Sequence, residues 1–440
     1  MTDIKPRTLN HTTVATSDHL PDHVPGPQNP LEVRPAVLPA QRTGTAPVPA
    51  VEPPSPHRVP VDVVIDEPGE PAANIRPVHP AHRGTGYLPY RYHIAGLLTL
   101  GSEIPMPELE FFREPWLGKD LDIEVRVGKV GRAAPRGRAQ LLRFDHPVGV
   151  RYEEHLGRFG ANFSIDLGDR IHVTLSSMLA QSPHVAYTNI IEALLRCEVA
   201  ARGCMLLHSA CVEIGGHGVM LSARTDTGKT GTVLRLLREH GAKFLSDDMT
   251  ILMPDGTARC FPKPLTISSH TLRAVDPGDL SRAEWMQLSL KSRLHSKGGR
   301  GIGLRLGEMN LPVMTANAVT QWLVPPPKYR ADRLVACEIT PSVRVEDLFI
   351  IERGAPGMWD LEPDVALDEL VDNTDDAYGF PPYRYLAPVL VVGGEEYAAL
   401  RRRERTVLAS ALAGMRVRRL ASDSFGWADE IPRVLAQQTR

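Results

Sequence analysis

The sequence predicts an α/β fold built on a strand, a tight loop and a helix, and three observations carry that prediction. An apolar run, Gly218 to Ser222, enters the octapeptide Ala223-Arg224-Thr225-Asp226-Thr227-Gly228-Lys229-Thr230, and an apolar-periodic segment, Thr232 to Leu237, leaves it. A second short run, Lys243 to Asp248, follows the helix-terminating Gly241, reads as a buried strand and ends in two carboxylates. Turns at Gly215-Gly216-His217-Gly218, before the loop, and at Pro254-Asp255-Gly256, after the acids, join further short apolar runs, so antiparallel strands flank the unit on both sides.

The octapeptide brings chemistry with it. Its spacing is that of a nucleotide-binding P-loop, in which a compact turn points successive backbone N–H groups and a helix N-terminus at one phosphate chain. Ala223, Arg224, Thr225, Asp226, Thr227, Gly228, Lys229 and Thr230 are therefore the expected ATP-binding residues, with Lys229 reaching the β- and γ-phosphates and Thr230 ligating Mg²⁺. An acid at the end of the next strand suits such a site, because it faces the loop's Ser/Thr across the metal. Two adjacent acids, Asp247 and Asp248, allow a division of labour: one faces the metal while the other accepts a proton from an attacking hydroxyl.

Composition bounds the remaining possibilities. The 440 residues are 42% hydrophobic, enough for a large core. Lys plus Arg (50) nearly balances Asp plus Glu (52), which gives no field to draw the chain to nucleic acid or an anionic membrane. No run is apolar and long enough for a membrane span, and the N-terminus lacks the apolar core of a secretory signal, so the cytoplasm is the expected location. Five cysteines without a C-x-x-C pair read as reduced thiols.

Three segments are expected. Residues 1–85 hold 17 of the 39 prolines and few aromatics, so they read as a disordered tail, within which only Val61 to Ile65 looks like a strand able to dock on a sheet edge. Residues 86–187 read as a small β-rich module, with an apolar run at Tyr90 to Leu100, a turn-like stretch at Ser102 to Leu109, and strands at Leu121–Val127, Val148–Tyr152, Asn162–Leu167 and Arg170–Ser176. A helix over Asn189–Ala201 opens the third segment, 188–440. Strands are expected there at Met205–Ile214, Met249–Met253, Ala258–Phe261, Leu348–Ile351 and Val389–Val392, and helices at Glu395–Met415 and Trp427–Gln437. Asp372 to Asp376 reads most simply as a solvated acidic loop. Lys263, in Phe261-Pro262-Lys263-Pro264, reads as a turn lysine or a contact for substrate phosphate.

The set Leu207-His208-Ser209, Gly218-Val219-Met220-Leu221, Ala223-x4-Gly228-Lys229-Thr230 and Leu245-Ser246-Asp247-Asp248 resembles the catalytic domain of HPr kinase/phosphorylase and its serine-kinase-like relatives. The close likeness covers about residues 205 to 250, and a weaker one reaches back to Tyr90. The resemblance implies a P-loop core in a mixed sheet, shared with phosphoenolpyruvate carboxykinase and entered through a hairpin. It implies Asp247 as general base, Asp248 as metal ligand, or the two in exchanged roles, and His208 as the residue that orients or charges the base.

Two departures bear on activity. The bifunctional members carry an acid after the loop Ser/Thr and a Glu-x-Arg-Gly-x-Gly segment, where this chain has Gly231 and Gly298-Gly299-Arg300-Gly301-Ile302-Gly303. Phosphorolysis and HPr itself are accordingly not expected. The expectation is a Mg·ATP-dependent phosphotransferase acting on a hydroxyl of a protein, a peptide or a small molecule. The alternative is a nucleotide-binding scaffold without chemistry. A carboxykinase-like decarboxylase lacks its metal-binding Lys/His set here. Oligomerisation stays open.

Overall fold

The computed structural model describes residues 63–65, 87–115, 120–131, 134, 137–145, 148–267, 281–282, 285–286, 311–378 and 382–438. All of them belong to one compact unit, Arg58 to Arg440. Most of the expected tail and the segment Gly298 to Gly303 with Arg300 lie outside the described residues.

Short alternating runs build a first, eight-stranded sheet. Its strands are β1 (Val63–Ile65), β2 (Tyr90–Ile94), β3 (Leu98–Ser102), β4 (Ile123–Val127), β5 (Ala139–Asp145), β6 (Val148–Glu154), β7 (Phe163–Leu167) and β8 (Ile171–Leu175), in the order β1-β5-β6-β7-β8-β4-β3-β2. In β7 every second residue is buried, and in β4 Ile123 and Val125 are, as a strand with one face on a core requires. The strand-like piece of the tail does take a sheet edge: Val63 pairs in parallel with Leu141 of β5. β5 itself was not legible, because Ala-Gln-Leu-Leu-Arg-Phe-Asp does not alternate cleanly. Within the turn-like Ser102–Leu109 stretch, a 3₁₀ turn starts at Pro107 and runs to Phe112.

Two short helices, α1 (Ser177–Ala180) and α2 (Pro183–Ala186), and a π-turn over Tyr187–Ile191 lead into α3 (Glu192–Ala201). Every residue of α3 from Glu192 to Ala200 is buried, so it is a central helix rather than a surface one.

The second sheet carries the predicted strand–loop–helix. Its strands are β9 (Met205–Leu207), β10 (Ser209–Ile214), β11 (His217–Ser222), β12 (Lys243–Ser246), β13 (Thr250–Leu252), β14 (Thr257–Arg259), β17 (Ser342–Arg353), β18 (Gly357–Asp360) and β21 (Arg416–Ser422), while β15 (Leu265–Thr266) pairs with β16 (Lys328–Tyr329) and β19 (Val391–Val392) with β20 (Glu395–Glu396) in separate two-stranded ribbons. β10 and β11 form the expected hairpin, antiparallel through Gly215 and Gly216, and β11 then pairs in parallel with β17 and β17 with β21. The sheet is therefore mixed. Gly218 is required at this crossing, since a Cβ there would sit 2.2 Å from the carbonyl oxygen of Arg344.

Alternation assigns the two faces. Val219 and Leu221 of β11 and Phe349 and Ile351 of β17 pack with Val233, Leu234 and Leu237 of α4 (Lys229–His240) and with Trp427 and Ile431 of α10 (Trp427–Gln438). Met220, Leu348 and Ile350 face the opposite way, into a core that continues through α3 to the first sheet. The other helices are α5 (Val313–Leu323), α6 (Ala331–Leu334), α7 (Pro363–Tyr378), α8 (Tyr383–Leu386) and α9 (Tyr397–Leu412).

Three expectations are corrected. Met205–Ile214 is two strands, because the N–H of His208 leaves the ladder to donate to Thr374 Oγ1 at 3.3 Å; β9 pairs with β13, whereas β10 pairs with β11 and β12. Asp372 to Asp376 lies in the last turns of α7, where Asn373 and Thr374 are buried. Ala366, Leu370, Thr374 and Tyr378 give that helix its inward face, a spacing that the run of acids obscures. Val389 ends a 3₁₀ turn, and only Val391–Val392 forms a strand.

Candidate functional site

Between β11 and α4 the chain must reverse within six residues. Asp226 and Gly228 do so at φ of 67° and 138°, and Ala223 takes no positive φ, as its Cβ demands. The loop closes on itself through Thr227, whose N–H and Oγ1 both donate to the Arg224 carbonyl at 3.3 and 2.8 Å. Arg353 braces it from outside by donating to the carbonyl of Thr227 at 3.1 Å while lying 4.4 Å from the Phe425 ring. Gly228 has no room for a side chain, since a Cβ would meet Trp427 at 2.9 Å. α4 starts at Lys229, so its first-turn N–H groups face the mouth of this loop.

Lys229 turns back under the loop and is buried. Its Nζ donates to the Ala223 carbonyl at 3.2 Å and to His208 Nε2 at 2.9 Å. The other ring nitrogen of His208 lies 2.9 Å from the Asn373 carbonyl, so Nδ1 carries the proton and Nε2 accepts from the lysine. Burial and then the Lys229 charge hold this imidazole down at about 4, which makes it neutral at physiological pH. It therefore positions Lys229 and does not charge a neighbouring acid. Burial also lowers the Lys229 ammonium, opposed by the carboxylates of Asp248 and Asp247.

The two acids following β12 have opposite surroundings. Asp247 is buried; its Oδ2 accepts from Thr230 Oγ1 at 2.7 Å, and its Oδ1 has no hydrogen-bond partner among the described residues. Burial raises its pKa to about 6, the Thr230 bond opposing and the Asp248 charge adding to the rise. Asp248 is half-exposed and accepts from Lys263 Nζ at 2.6 Å, with His208 Nε2 at 3.7 Å. Burial works to raise its carboxyl, but the Lys263 ammonium, helped by Lys229, outweighs it and holds it well below the usual carboxylate range.

Apart from the buried Lys229, these groups line one cavity of about 400 Å³. Thr225, Thr230 and Asp247 stand at one end; Lys263, Lys328 and His184 stand at the other, with Asp248 and His208 also on the wall. Lys263 is no plain turn lysine: it is buried and bridges Asp248 to Glu192 Oε2 at 2.8 Å. Lys328 donates to Glu108 Oε1 at 2.6 Å, and His184 Nδ1 lies 2.6 Å from Lys328 Nζ and against the same Glu108 oxygen. Sequence reading missed Glu108, His184, Glu192, Lys328 and Asp376. None lies in a recognisable motif, and α2, α3, the 3₁₀ turn and the ribbon strand β16 bring the first four together only in three dimensions. Asp376, at the end of α7, accepts from Thr225 Oγ1 at 2.9 Å and so tethers that helix to the loop.

Among the described residues, the carboxylate–imidazole set with metal-ligating spacing, Glu239, His240 and Asp429, is distant from this chemistry in kind: Arg235 ion-pairs with both of its acids. No described helix is long and apolar enough to cross a membrane. A scan against protein-family models and a search of curated proteins each returned no match.

Proposed function

We propose that the chain is a Mg·ATP-dependent phosphotransferase of the HPr kinase-like type, with residues 223–230 as its P-loop, moving the γ-phosphoryl group to a hydroxyl acceptor. The observation that carries the reading is the buried, unpartnered Oδ1 of Asp247 beside Thr230 at the start of α4. An orphaned carboxylate oxygen out of water is costly unless a cation or donor arrives. Thr230 and Asp247 are a fitting hydroxyl and carboxylate pair for Mg²⁺, which when bound neutralises charge on the β- and γ-phosphates.

This geometry favours exchanging the two acids relative to the first assignment. Asp247 stands with Thr230 on the metal side, and Asp248, reaching into the cavity, is the acid that meets the acceptor hydroxyl. Its low pKa is no obstacle. In a loose phosphoryl-transfer transition state the acceptor proton leaves late, so orientation of the hydroxyl matters more than basicity. Lys229 has a further ammonium hydrogen for a phosphoryl oxygen, and His208 holds it in place. As the acceptor oxygen bonds to phosphorus, the bond to the leaving ADP oxygen breaks and the hydroxyl proton passes to Asp248.

The test is transfer of labelled phosphate from γ-labelled ATP with Mg²⁺ to a panel of hydroxyl acceptors. Lys229→Ala and Asp248→Asn are each expected to lower transfer by about 10²–10⁴-fold with the circular dichroism spectrum unchanged. Transfer at the wild-type rate in Lys229→Ala would reject the assignment. If wild type binds Mg·ATP yet no acceptor is phosphorylated, the scaffold alternative stands.

A further inference from the structure

The cavity end opposite the loop is more polar than a core needs. Two ammonium groups, the buried Lys263 and the partly buried Lys328, line the same cavity, and each has three N–H donors. Lys263 engages Glu192 and Asp248; Lys328 engages Glu108 and the ring of His184. Lys263 also lies over the Tyr187 ring at 5.6 Å, whereas one ammonium hydrogen of Lys328 is left without a partner among the described residues. The two cations also repel: burial first, and the Lys263 charge among the further causes, lower the Lys328 ammonium. Gln321, on the same cavity wall from α5, keeps a buried Oε1 without a hydrogen bond among the described residues, while its amide nitrogen is tied to Asn317.

We infer that this end is the acceptor subsite and that the acceptor is a small molecule bearing an anionic group, a phosphate or a carboxylate, together with the hydroxyl that is phosphorylated. The inference rests on the phosphotransferase reading. An anion between Lys263 and Lys328 uses the spare donor of Lys328 and relieves the repulsion between the two cations. Because Lys263 also touches Asp248, the anionic group sits one side chain away from the acid that meets the hydroxyl. The unpartnered Gln321 oxygen accepts from a second hydroxyl or an amine of the same ligand. A volume of about 400 Å³, walled by α2, α3, α5, α7 and the β15–β16 ribbon, is the size of a metabolite site rather than of a protein-docking surface.

The decisive experiment titrates the full chain, without nucleotide, with sn-glycerol 3-phosphate, D-glycerate and uncharged glycerol by calorimetry. At least one anion is expected to bind, and glycerol is not. Lys328→Arg should retain binding, and Lys328→Met should weaken it by about tenfold or more. Because Lys328→Met strands the buried Glu108 carboxylate, the double variant Glu108→Gln/Lys328→Gln is the control for folding, and it should lose anion binding as well. Glycerol binding as tightly as the anions, neither anion binding, or the double variant binding like wild type would each overturn the proposal. So would tight binding of an acidic serine peptide in place of the small anions. A fluorescent ATP analogue, titrated separately, should bind the double variant as it binds wild type. Failure of wild type to bind that analogue would count against the nucleotide reading, whereas the anion titrations speak to this subsite alone.

Discussion

The two ends of the cavity handle charge in opposite ways. At the loop end polar groups are left open: among the described residues Asp247 Oδ1 has no partner, and no side chain caps the start of α4. At the far end nearly every charge is closed into a pair, Lys263 with Glu192 and Asp248, Lys328 with Glu108. Breaking a closed pair strands a buried charge, whereas removing an open group relieves a cost that only a ligand offsets. The same polar composition thus stabilises one end and destabilises the other.

The largest expected effect comes from breaking the closed end. Lys263→Met leaves Glu192 and Asp248 uncompensated and should lower unfolding stability by about 3–5 kcal/mol. The double variant Lys263→Met/Glu192→Met should recover much of the loss in chemical denaturation. Equal loss in single and double variants would show that Lys263 and Glu192 do not act as a pair.

At the open end the sign reverses. Asp247 has a pKa raised to about 6, so the folded state holds its proton more tightly than the unfolded chain does. This group's contribution to stability therefore falls as pH rises from the ordinary carboxylate value to about 6 and is constant above that. Asp247→Asn should stabilise the metal-free protein above pH 6 by up to about 3 kcal/mol and leave it unchanged near pH 3. Denaturation midpoints that fall at neutral pH in this variant would contradict the picture. The companion experiment is calorimetry of Mg·ATP binding at pH 6 in buffers of different ionisation enthalpy, where about half a proton should be released per site.

Smaller effects sharpen the loop itself. Gly228→Ala places a Cβ against Trp427 at a φ of 138° and should cost about 1–3 kcal/mol, with nucleotide affinity reduced in parallel. Replacing Arg353 by Gln removes its stacking on Phe425 and its bond to the loop carbonyl, and should cost only about 0.5–1 kcal/mol, read from thermal denaturation.

How much was legible follows from how local each signal is. The loop, the β10–β11 hairpin and α4 with its Gly241 cap were readable because turn chemistry and periodicity act over a few residues. α7 was missed because Asp372, Asp375 and Asp376 on its exposed side masked the buried spacing of Ala366, Leu370 and Thr374. Met205–Ile214 looked like one strand because its apolar run is unbroken; only the contact of His208 with α7 breaks the ladder. Lys263 looked like a turn residue because its partners are distant in sequence, 71 residues away at Glu192 and 15 at Asp248.

By itself the sequence determined the α/β core, the loop 223–230 and the presence of two acids beside it, since each depends on spacing along the chain. Only the tertiary structure decided which acid stands by Thr230, that His208 is neutral beneath Lys229, and that Lys263 and Lys328 share a cavity wall. Those outcomes depend on burial and on charges brought together from separate elements, and neither is written in the local pattern of residues.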